Sequence, residues 1–162
     1  MRDRRFVAVH RGGPLKMEDH VFLALWAADC AERVLPLFTY HSDDTRPKQA
    51  LEIARAWAHG KVKTGVAMKA SLAAHAAARE VKDKAAIAAA RAAGQAVATA
   101  HMADHSMGGL LYALKALGAS GTSYRPELES QLAKLPTHLL DPVSSGIEAR
   151  LAGLGIRRTS TK

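Results

Sequence analysis

Two histidines, His101 and His105, stand four residues apart in a stretch of helical periodicity. That spacing aims two imidazoles at one metal ion. Asp104 lies on the adjoining stripe, and His75 is placed to face the pair from a neighbouring helical segment. His75, His101 and His105 with a water would make a catalytic zinc-type centre with one open position, Asp104 being a further ligand for a divalent metal. The same residues also serve as histidines hydrogen-bonded across a helix interface. The lack of a Glu-x-x-His pair or a cysteine cluster favours that plainer role, so no cofactor is expected and a metal-dependent enzyme is the alternative.

Asp29 interrupts an apolar stripe, where an unpaired carboxylate would be costly to bury. Arg33 is its neighbour at i+4, while Arg46 and Arg55 can reach it from another helix. A buried ion pair that fixes helix register is the first expectation, and a carboxylate–arginine patch in a cleft is the second. Cys30 has no base beside it and reads as a buried apolar thiol. No phosphate-binding glycine loop follows a strand, and no nucleophile elbow appears.

The elements that must position these groups are helical. Residues 83–117 form the longest helical pattern, with Val97, Ala100, Asp104, Met107, Leu111 and Leu114 along one face and Gly94, Ala98, His101, His105, Gly108 and Tyr112 beside them. A first helix is expected from about Met17, carrying Phe22, Leu25, Trp26, Asp29, Cys30 and Arg33, with Pro36 ending or kinking it. A second runs from Pro47 to His59 behind the capping groups of residues 43–45, with Ala50, Ile53, Ala54 and Trp57 inward. A third covers residues 64–81, with Met68, Leu72, His75 and Arg79 on one side. Residues 118–125 read as a connection, followed by a short helix from Pro126 and a last one over about 141–154.

The expected fold is all-α: a single-domain antiparallel bundle of four main helices in residues 1–117, with an N-terminal arm over residues 1–13. Residues 118–162 supply a linker, short helices and a basic tail. A weak repeat at an offset of 36 aligns Lys48, Ala50, Ala54 and Arg55 with Lys84, Ala86, Ala90 and Arg91, which keeps a helical-repeat adaptor in view. Such a protein would form a homo-oligomer through its small-residue faces.

Of the formal charge of +8, five units lie in the tails: Arg2, Arg4 and Arg5 less Asp3 at one end, Arg157, Arg158 and Lys162 at the other. No nucleic-acid module accompanies this charge, so specific nucleic-acid binding is not expected. A single cysteine fits a reducing compartment, and the longest uncharged apolar run, residues 21–28, is far short of a membrane span. A cytoplasmic protein without a membrane partner is expected.

The pattern Arg11-Gly12-Gly13-Pro14-Leu15, Asp19-His20, Trp26-Ala27-Ala28-Asp29-Cys30-Ala31-Glu32, Arg46-Pro47, Ala54-Arg55-Ala56-Trp57, His75-Ala76-Ala77-Ala78-Arg79-Glu80 and Ala100-His101 resembles the bacterial immunity proteins with an Imm-5-like domain. The resemblance covers about residues 6 to 117. It implies an all-helical intracellular protein that neutralises a cognate toxin of a polymorphic-toxin system by binding it, without catalysis. Asp29, Arg46, Arg55, His75 and His101 match the family's recurrent polar positions. Inhibitors of nucleases are often acidic, and this chain is basic, so the expected toxin has an acidic or apolar cleft.

Overall fold

A computed structural model describes residues 2–155. The fold is all-α: among the described residues there are eight α-helices and no strand, only an isolated bridge between Ala8 and Leu15. The helices are α1 (Met17–Glu32), α2 (Leu35–Thr39), α3 (Arg46–Ala58), α4 (Thr64–Arg79), α5 (Lys84–Ala98), α6 (His105–Ala119), α7 (Arg125–Ala133) and α8 (Thr137–Leu151).

The centre is α5. It touches α1, α2, α3, α4 and α6, and eleven of its fifteen residues are buried, nine of them alanine. Only the side bearing Lys84, Ile87, Arg91 and Gln95 is left open, and elsewhere alanine lets neighbouring backbones approach closely. Asp83 caps α5, its carboxylate accepting from the Ala86 N–H at 2.9 Å.

The long helix expected over residues 83–117 is in fact two. Unbroken, it would run about 50 Å, longer than the ~40 Å breadth of a domain of this size. The chain turns at residues 99–104 instead, and α6 folds back along α5 with Met107, Leu110, Leu111 and Leu114 in the core. No glycine or proline marks the turn; Thr99, His101 and Asp104 are its polar residues.

Two faces are rotated from expectation. On α1 the buried set is His20, Leu23, Ala24, Trp26, Ala27, Ala28, Cys30 and Ala31, which leaves Asp29 about 120° from Leu23 on the helical wheel and outside. On α4 the alanines Ala67, Ala70, Ala74, Ala77 and Ala78 turn inward, whereas Met68 and Leu72 are exposed. The small face is selected because α4 lies close against α5, where the Ser71 hydroxyl donates to the Gly94 carbonyl at 2.9 Å.

Pro36 begins α2 rather than kinking α1, and Pro47 and Pro126 sit in the first turns of α3 and α7. The last helix starts four residues before the expected 141, at Thr137, and accommodates Pro142. Two short 3-10 turns carry the N-terminal segment, and Phe6 and Leu15 are buried. It is not a free basic arm: Arg2 pairs with Asp104 at 3.1 Å, and Arg5 with Asp3 at 2.7 Å. Arg157, Arg158 and Lys162 lie outside the described residues.

Candidate functional site

The arginines expected to matter form clasps between helices. Arg55 on α3 reaches Asp29 and Glu32 on α1, each at 2.9 Å. Burial works to lower the Arg55 pKa, but the bonds to the two carboxylates outweigh it, and the net shift is upward. Asp29 is therefore paired but not buried, its side chain 60% exposed. Arg33 pairs with Glu127 instead. Arg46 holds Asp44 at 2.6 Å and Glu80 at 2.8 Å, tying the start of α3 to the end of α4. The Arg46 guanidinium keeps the Asp44 carboxyl below the usual range. These clasps tie α1 to α3 and the start of α3 to the end of α4 at the surface.

The histidines named for the metal alternative stand on three different segments. His101 lies in the α5–α6 connection, half-buried, not one turn below His105 on a common helix. His105 opens α6 and its Nδ1–H donates to the Gln95 side-chain oxygen at 2.8 Å. His75 packs over Gly94, where a Cβ would stand only 2.7 Å from its Nε2, so glycine is required for the ring to fit. Asp104 accepts from Arg2 through Oδ2, while its buried Oδ1 has no partner. Among the described residues no three metal-ligating side chains converge. Burial lowers the pKa of both His75 and His105, with Arg91 and Arg79 adding to the effect on His75. Burial likewise pushes the thiol of the fully buried Cys30 up.

His20 is a polar centre that sequence reasoning passed over as a mere part of a motif. It is 2% exposed, its Nε2–H donates to the Thr99 carbonyl, and its ring lies 5.0 Å from that of Trp57. Nδ1 is buried without a partner. The signal was present, since His20 shares a helix face with Leu23 and Ala27. By holding Thr99, His20 pins the turn that reverses the chain between α5 and α6.

A concave surface with binding character runs along the α5–α6 seam. A groove of about 560 Å³ is floored by Ile87, Ala88, Tyr112 and Ala119 and edged by Lys84, Arg91 and Lys115. It continues past Tyr112 into a second hollow of about 410 Å³ between Gln95, Gly108, Leu111, the α8 residues Ala149 and Arg150, and Gly153 just beyond α8. No carboxylate lines either part. Among the described residues Lys84, Arg91 and Lys115 enter no ion pair, unlike Arg2, Arg5, Arg33, Arg46 and Arg55. Lys115 instead stands 6.0 Å above the Tyr112 ring. The spacing of Lys84, Ile87, Ala88 and Arg91 could have flagged this face. The antiparallel return of α6, which brings Lys115 opposite, could not be read from spacing.

The family model described as Imm-5 like putative immunity protein matches residues 13–138. The chain belongs to that family. The match extends beyond residue 117 to include α7 and the first residues of α8. In this Imm-5-like chain the α5 and α6 walls of the groove thus lie inside the family region, and the α8 wall lies outside it. No curated protein and no solved structure matches the chain.

Proposed function

We propose that this protein is an immunity protein in the working sense: it captures a cognate toxin protein in a stoichiometric complex and does not turn it over. The observation that carries this reading is the family match over residues 13–138. The surface agrees with it. Of the predicted polar residues Asp29, Arg46 and Arg55 are occupied in helix-to-helix clasps, and the groove offers unpaired cations over an apolar floor, suited to holding a partner rather than to bond chemistry. No helix is long and apolar enough to cross a membrane. Self-association through the small-residue seam is disfavoured because Gly94 and Ala98 are already buried within the chain.

The test is co-expression with a panel of bacterial toxin domains, scoring growth, followed by calorimetry of the purified pair. Rescue from one toxin with a 1:1 complex is the expected result. Absence of both rescue and binding across those toxins would overturn the reading.

A further inference from the structure

We infer that the α5–α6 groove receives an acidic amphipathic segment of the partner protein, its carboxylates on Lys84, Arg91 and Lys115 and its apolar side chains on the floor. That the occupant is a protein rests on the capture reading above; its charge and patterning rest on the groove itself. Lys84 and Arg91 lie two turns apart on one wall, about 10 Å along the axis, and Lys115 stands on the opposite wall. Ile87 and Tyr112 are only half-buried between them, leaving apolar surface that a ligand's own apolar side chains would cover. The combination of cationic edges and an apolar floor is complementary to a segment with carboxylates flanking apolar residues at helical spacing.

Other occupants fit less well. Residues 156–162 of this chain carry Arg157, Arg158 and Lys162, the same sign as the groove edges. A nucleic acid would be offered one aromatic ring and a few cations above an apolar floor, where stacking platforms and a continuous phosphate track are the usual requirement.

The experiment selects 16-residue peptides from a random display library on the full chain at about 0.15 M NaCl. Enriched peptides are expected to be net acidic, with apolar residues three and four apart. Their affinity should fall about 30-fold or more in a Lys84→Glu/Arg91→Glu/Lys115→Glu variant, like charges facing each other across the groove being strongly disfavoured. Should that variant not fold, Lys84→Gln/Lys115→Gln removes charge without repulsion, and a loss of several-fold is expected. Failure to enrich any peptide, enrichment without acidic bias, or equal affinity for native and groove variants would overturn the inference. So would tighter binding of a fluorescein-labelled 20-nucleotide oligo-dT, lost in the same variants, which would make the groove a nucleic-acid site. A groove variant that rescues cells as well as the native chain would refute the groove while leaving toxin capture standing. Lack of rescue by the native chain would refute capture, and the peptide arm would still report on the groove.

Discussion

Acidification should loosen this protein through His20. The ring is 2% exposed, donates from Nε2 to the Thr99 carbonyl, and has a buried Nδ1 with no acceptor nearby to receive a second N–H. Burial is the first cause that pushes its pKa down; the Thr99 bond opposes it, and the neighbouring His10 and Arg11 add smaller contributions to the lowering. A histidine whose folded pKa is depressed contributes its full stability above the unfolded value and loses it as pH falls below that value, because only the unfolded chain takes up the proton. With an unfolded pKa of about 6.5, moving from about pH 7.5 to about pH 5 costs at most about 2 kcal/mol if the folded ring stays neutral. His75 and His105 shift in the same direction for the same first cause, and being half-buried they add less. The assay is urea unfolding followed by circular dichroism at the two pH values, for the native chain and for His20→Gln, whose amide keeps a donor towards Thr99. The native chain should lose more stability than the variant over this interval, by up to about 2 kcal/mol. Equal losses in the two proteins would refute the assignment of a neutral, proton-excluding site to His20.

Three further outcomes follow from burial and pairing. Trp26 is 3% exposed and its indole N–H donates to the Gln131 carbonyl, whereas Trp57 is half-buried. Trp26→Ala should therefore cost about 3–5 kcal/mol and Trp57→Ala clearly less, as read from urea midpoints. Arg55→Ala should cost only about 0.5–1 kcal/mol, because its partners Asp29 and Glu32 are 60% and 59% exposed; a loss several times larger in the same measurement would mean that the clasp carries the α1–α3 packing. Cys30 is fully buried with its thiol pKa pushed up. It should be inert to a disulfide-exchange reagent in the native protein and react with one equivalent after unfolding, so rapid native labelling would place the thiol at the surface.

Much of the helical layout was legible in sequence because its signals are local. Pro47 and Pro126 sit in first turns, Asp83 supplies a side-chain cap, and Gly60 takes a positive φ of 72° just after α3. What misled was periodicity taken without packing. In an alanine-rich chain several faces of a helix are apolar enough to be buried, and the choice belongs to the neighbour. On α4 the partner α5 selected the alanines and left Met68 and Leu72 outside, and on α1 the packed face excluded Asp29. The His101–His105 pair failed for a related reason: a spacing of four has meaning only if the helix continues, and the turn carries no strong local breaker.

The sequence alone determined the all-α class, the positive charge and the family, since each depends on composition, local periodicity or motif. Only the tertiary structure decided where the longest helical pattern reverses, which faces are buried and which cations remain unpaired. Those outcomes depend on long-range contacts: His20 on Thr99, His75 over Gly94, and α6 laid back along α5 so that Lys115 stands opposite Lys84 and Arg91. The energy of such a contact is a property of two segments far apart in the chain, and no window of sequence contains both.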